Sequence, residues 1–265
     1  MKGEEAVTTS FQLIQISRIH HESVYEITLN RPEVKNALNG MLIDELYEGI
    51  RDLENKNAKV VIFKGRDGNF AAGADIKQML HASIEEIQRF TNQISTLHNA
   101  MKESPIIFIA AIQGYCLGGG LELALSTDIK VAQKEALFGF PEVKLGILPG
   151  GGGTQRLLSL AGSSVANRFI LTGELFSAQK AYELKIVSDV VSDVEEVSRA
   201  MGTTIAKQSK HALVAIKQLI SGIENRNLID GLQLEQQKFQ SLFVQGEARE
   251  GLRAFVEKRE PNYVE

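Results

Sequence analysis

At 265 residues, with 43% hydrophobic and 23% charged side chains, the chain has the composition of a globular protein able to bury one sizeable core. A formal net charge of -4 gives no general attraction for nucleic acid or an anionic membrane, so an anionic ligand needs a local cluster of cations. The single cysteine, Cys116, excludes an internal disulfide framework and CxxC metal sites; the opening MKGEEAVTTSF has neither signal nor transit character, and no apolar run reaches membrane-spanning length, so the expected location is cytoplasmic.

In chain order, the alternating segments Phe11 to Ile16 and Val24 to Leu29 predict two strands, the second stopped by Arg31-Pro32 because proline removes a donor. Leu42, Leu46, Ile50 and Leu53 share one face of a helix predicted from Met41 to Glu54. Val60 to Phe63 is a short β-rich strand that opens at Gly65 into a loop holding Asn69 to Asp75. A second round starts at Ser83, which can cap a helix with Glu86 three residues on; that helix runs to about Lys102 and Pro105 closes it. Ile106 to Ile112 is an apolar strand leading into Gly114 to Gly120, Leu121 to Ser126 begins a buried helix, and the strand Ile129 to Ala132 precedes the loop Phe138 to Gly153. After a strand near Ile186 to Val191 the pattern turns helical from about Glu195 to Lys258. Strands alternating with helices and ending in glycine-rich loops predict an α/β architecture with its ligand site on those loops.

The glycine runs at 118 to 120 and 150 to 153 match neither GxxxxGK[ST] nor GxGxxG, so nucleotide hydrolysis is a poor reading. Such runs serve either as tight turns with close helix packing or as backbone amides brought near a ligand. Glu122 lies two residues past Gly120 in the apolar run Leu121, Leu123, Ala124, Leu125, and Glu142 follows in Phe140-Pro141-Glu142-Val143. A buried carboxylate must pair with a cation, for which Lys130, Lys144 and Arg156 are available, or shift its pKa upward and become a candidate acid or base. His20-His21 cannot share a metal ion from a strand, because adjacent side chains point to opposite faces. Cys116 has no neighbouring histidine in sequence and reads as a small packing residue.

Four stretches in order resemble the crotonase family, and within it the enoyl-CoA hydratases: Arg31-Pro32 with Asn36-Ala37-Leu38; Phe70 to Lys77 (FAAGADIK); Gly114 to Glu122; and Phe138 to Leu157 (FGFPEVKLGILPGGGGTQRL). Leu171-Thr172-Gly173, Ser177-Ala178 and Gly251 to Arg259 (GLRAFVEKR) extend the resemblance over nearly the whole chain. It implies a crotonase-like spiral of strand-strand-helix repeats over residues 1–198 carrying the coenzyme A and acyl site. Residues 199–265 would form a C-terminal helical trimerisation region, giving a trimer or a dimer of trimers. It further implies that the amides of Ala74 and Gly119 form an oxyanion hole for a thioester carbonyl. In the same reading Glu122 activates water, Glu142 delivers a proton to the α-carbon, and the Gly150 amide helps hold the water. Coenzyme A, part of the substrate and not a prosthetic group, would lie against Ala72, Ala74, Asp75 and Ile76, with Lys35 and Lys77 meeting phosphates. Lys258 would reach coenzyme bound to an adjacent subunit. One departure is Phe140, where many hydratases carry a polar residue; this bears on the acyl pocket and on what hydrogen-bonds Glu142. Two rivals are an enoyl-CoA isomerase, which could work with one base near Glu142, and a non-catalytic scaffold on the same fold, one that binds RNA for example. Both glutamates and the net charge argue against the scaffold.

Overall fold

The computed structural model describes residues 5–6, 11–19, 23–221, 227–244 and 247–263; His20 and His21 lie outside them. Three strands open the chain, β1 (Glu5–Ala6), β2 (Ile14–Arg18) and β3 (Val24–Leu29), followed by helix α1 (Gly40–Asn55) and strand β4 (Val60–Gly65). The second round is α2 (Ile76–Leu80), α3 (Ile84–Glu103), β5 (Ile107–Ile112), β6 (Tyr115–Leu117), α4 (Gly119–Leu125) and β7 (Ile129–Gln133). Then come β8 (Leu137–Gly139), α5 (Gly153–Ala161), α6 (Ser163–Thr172), β9 (Leu175–Ser177), α7 (Ala178–Glu183) and β10 (Asp189–Val191). Helices α8 (Val194–Ala206), α9 (Lys210–Ser221), α10 (Leu228–Val244) and α11 (Glu247–Glu257) finish the chain.

The seven-stranded sheet has the order β1-β2-β3-β4-β5-β7-β10, and β6, β8 and β9 form a second, three-stranded sheet. Pairing is antiparallel from β1 to β3 and parallel from β3 onward, as crossover helices require. Because side chains alternate along a strand, Tyr25, Ile27, Leu29, Val61, Phe63 and Phe108 face α1 and α3. Val24, Val60, Ile62, Ile107, Ile109 and Val131 face the other way, onto α8. Burial on both faces is why β4 and β5 read as unbroken apolar runs. Asn39 caps α1, and Ser83 with Glu86 forms the expected capping box on α3.

Strands β2 and β10 each start three residues later than expected. The first ladder begins at Ile14 instead of Phe11, because the Glu45 carboxylate takes the amides of Gln12, Leu13 and Ile14. The strand expected at Ile186 is only Asp189–Val191. Ile186 and Val187 are buried, but their amides close a turn on the Ala181 carbonyl, so an apolar β-branched pair here marks burial without pairing. The loop expected from Phe138 to Gly153 contains β8 and a 3-10 turn, Pro141–Leu145. Among the described residues no helix is long and apolar enough to cross a membrane.

Candidate active site

The site lies where the small sheet meets the loops that leave β4 and β5. Residue-by-residue bonding ties these segments together: Ala71 donates to the Tyr115 carbonyl, Leu117 donates to Ala71, and Gly118 donates to Gly139. Leu38 donates to Gly73 and accepts from Asp75, which holds the intervening Ala74 in place. The amides of Ala71, Ala72, Asp75, Leu117 and Gly118 therefore all have backbone partners, whereas none is found for Ala74 or Gly119 among the described residues. These two amides are close: a methyl group built on Gly119 would lie 3.6 Å from the Ala74 nitrogen. Such a pair of unused donors can receive an oxygen that gains negative charge.

Glu122 stands in the first turn of α4 and is only 3% exposed. One of its oxygens, Oε1, accepts from the amides of Gly151 and Gly153, each at 2.7 Å. Burial raises its pKa, and those two amides together with the Arg156 charge oppose the rise without cancelling it. Glu142 sits in the 3-10 turn after β8, with Oε2 buried and accepting from no donor among the described residues. Burial, reinforced by the nearby negative charge of Glu122, pushes its pKa up to about 7. Neither carboxylate pairs with Lys130 or Lys144: Lys130 donates to the Thr127 carbonyl, and of the three candidate cations only Arg156 acts on Glu122.

Two glycines make the approach possible. Gly118 has φ 49° and ψ -124°, a conformation closed to side-chain-bearing residues, and a methyl there would sit 2.7 Å from Glu142 Oε1. A methyl on Gly151 would sit 2.7 Å from Glu122 Oε2 and equally close to Ile94. The carbonyl of Gly151 accepts from His98 Nδ1 at 2.9 Å and from Arg156 Nη1 at 2.7 Å. His98 gave no signal in the sequence, because it shares the buried face of α3 with Ile94, Leu97 and Met101, where a histidine reads as core.

The remaining expected residues fall in two places. Lys35, Ala72, Ala74, Asp75, Ile76 and Lys77 are gathered along one edge, Ala72 donating to the Lys35 carbonyl. Lys35 is exposed, with Nζ 4.4 Å from the centre of the Tyr115 ring, and Lys77 is exposed on α2. The Asp75 carboxylate bonds Arg31 at 2.9 Å and caps α2, and the Arg31 bond holds its pKa below the usual range. Lys258 is exposed just beyond α11. Gly150 is exposed beside Thr91, and Cys116 is fully buried with its thiol pKa raised by burial, a packing residue. The Phe140 ring is also fully buried, against Gly153, and supports the loop that holds Glu122. A cleft of about 820 Å³ opens between α1, α2 and α3, lined by Leu38, Met41, Met79 and Phe90; neither glutamate borders it.

Residues 20–265 match the family model for enoyl-CoA hydratase/isomerase. The chain is 38% identical over 248 residues to the 2,3-dehydroadipyl-CoA hydratase of Escherichia coli, covering 91% of this chain and 95% of that one. It is 37% identical over 254 residues to the mitochondrial enoyl-CoA hydratase of Pongo abelii, covering 95% and 87%. The crystal structure of an enoyl-CoA hydratase from Bacillus anthracis superimposes with a TM-score of 0.91 at 36% identity, covering 95% of this chain and 99% of that one.

Proposed function

Since this chain belongs to the enoyl-CoA hydratase/isomerase family and is an enoyl-CoA hydratase, we propose that Glu122 and Glu142 divide between them the addition of one water to a trans-2-enoyl-CoA thioester. Glu122 takes a proton from the water as its oxygen bonds to the β-carbon. The displaced electron pair moves onto the thioester oxygen, where the amides of Ala74 and Gly119 receive the charge. Fixed donors of this kind are worth roughly a hundredfold to a thousandfold each. Glu142, kept protonated near neutrality, gives its proton to the α-carbon, and the product is a 3-hydroxyacyl-CoA. The amide of Gly150 steadies the water.

The observation that carries this reading is the placing of buried Glu122 and half-buried Glu142 in one site, with Glu142 Oε2 buried and without a donor among the described residues, an arrangement that raises the pKa of both. Two carboxyls in one site cannot both ionise freely, so one proton is held and one base is available. The coenzyme lies along Lys35 and Ala72 to Lys77, and Lys258 meets coenzyme held by a neighbouring subunit of a trimer or dimer of trimers. The enzyme works on CoA thioesters without a prosthetic group. The buried, solitary Cys116 fits the reducing cytoplasm.

The test mixes the protein with crotonyl-CoA and follows loss of enoyl-thioester ultraviolet absorbance, with the product identified by mass. The expected product is heavier by one water. Glu122→Gln and Glu142→Gln should each lose roughly a hundredfold to ten-thousandfold in rate. No water gain with crotonyl-CoA or with longer and branched enoyl-CoAs would sink the hydratase reading. Near-normal hydration by Glu122→Gln would eliminate its role as the base.

A further inference from the structure

Four consecutive glycines, Gly150 to Gly153, carry the amides that hold Glu122, and such a segment has no side chains with which to fix its own conformation. Its geometry has to be imposed from outside. One face of α3 does this through Thr91, Ile94 and His98, spaced three and four residues apart: methyls on Gly150 and Gly151 would lie 3.8 Å from Thr91 Cγ2 and 2.7 Å from Ile94 Cγ2. We propose that His98 is a positioning residue for hydration, its Nδ1–H and the Arg156 guanidinium together clamping the Gly151 carbonyl so that the Gly151 and Gly153 amides both reach Glu122.

Two features beyond proximity support the clamp. A carbonyl oxygen accepts two hydrogen bonds, and His98 at 2.9 Å and Arg156 at 2.7 Å supply both. An imidazole facing a carbonyl can only donate, so Nδ1 carries the hydrogen; burial, with the Arg156 charge adding to it, holds the His98 pKa down at about 3 and keeps the ring neutral. The charged group acting on Glu122 is then Arg156 from α5, while His98 contributes order and no charge. Releasing the clamp withdraws the amides that favour ionised Glu122, so its pKa rises further and the base forms only at higher pH.

This inference rests on the hydratase reading, and its test compares His98→Leu with His98→Asn, whose amide places an N–H where Nδ1 stands. His98→Leu should lower kcat about tenfold or more with KM within about twofold, and move the acidic limb of the kcat profile to higher pH. His98→Asn should keep kcat within about threefold and leave that limb in place. Wild-type kcat and pH profile in His98→Leu, or equal behaviour of the two variants, would overturn the assignment. If His98→Leu fails to fold, His98→Gln replaces it, since its amide falls at the Nε2 position: impairment there with Asn near wild type supports the clamp, and equivalence refutes it. Should the wild-type protein itself not hydrate enoyl-CoAs, the activity assignment fails separately, and nitrogen NMR of the histidines decides the clamp. A neutral Nδ1–H signal that disappears in His98→Asn supports it, and an Nε2–H tautomer for His98 refutes it.

Discussion

Glu142 gives its site a titration that can be read in two independent ways. Its folded pKa is about 7 against an ordinary 4.5, so between those values the folded protein binds more protons than the unfolded chain. Stability at this residue is therefore lost as pH rises from about 4.5 to about 7, and the full cost is present above that. Glu142→Gln, which cannot ionise, should accordingly raise Tm at pH 8 and leave it nearly unchanged at pH 4. Equal Tm shifts at the two pH values would show that Glu142 is not held protonated by the fold. The same proton governs turnover: as the acid of hydration Glu142 must be protonated, so the rate should fall as pH rises through the neutral range. Glu122, as base, must be ionised, and the rate should fall on the acidic side. The two limbs belong to the coupled pair and not to either residue alone.

Between elements, Glu45 shows how a carboxylate can organise a fold without doing chemistry. From the buried face of α1 it accepts three amides, those of Gln12, Leu13 and Ile14, at 3.0, 2.7 and 3.1 Å, and so fixes where β2 enters the sheet. Hydrogen bonds to a buried charge are among the stronger ones, and Glu45→Ala leaves their donors without it; the expected loss is roughly 3 kcal/mol in urea unfolding. A loss below about 1 kcal/mol would mean that water replaces the carboxylate at no cost. This contact spans about thirty residues and has no sequence signature, so alternation alone puts the start of β2 at Phe11. Local signals fared better. The α1 stripe of Leu42, Leu46, Ile50 and Leu53 and the Ser83–Glu86 box depend on neighbours three and four residues away, and both stand as expected. The short helix α2 and the small sheet of β6, β8 and β9 are too brief for any periodicity to show. At the site, Glu122 and Glu142 could be suspected from acids set in apolar runs. That Arg156 would act on Glu122 while Lys130 and Lys144 would not, and that His98 would stand behind Gly151, are products of the tertiary fold.

For the molecule as a whole, the C-terminal helices pose a problem that one chain does not solve. No residue of α10 is buried, although Leu228, Ile229, Leu232 and Phe239 are large and apolar, and Phe255 and Val256 on α11 are 83% and 78% exposed. A helix gains most of its stability from burying an apolar face, so these faces need a partner. Further copies of the same chain, as in the proposed trimer, would cover them. Light scattering coupled to gel filtration should therefore report three or six times the mass of one chain. Phe255→Asp, which puts a charge on the exposed face, should lower the association state or make it concentration-dependent. A monodisperse monomer for the unaltered protein would refute the assembly. Association also carries a prediction for catalysis, because Lys258 lies at the end of α11 while Glu122 and Glu142 lie within the sheet-bearing part of their own chain. If Lys258 reaches coenzyme on a neighbour, Lys258→Ala should raise KM for crotonyl-CoA severalfold while leaving kcat close to wild type, since a phosphate contact remote from the reacting carbons is made equally in the ground and transition states. A fall in kcat with unchanged KM would place Lys258 outside coenzyme binding.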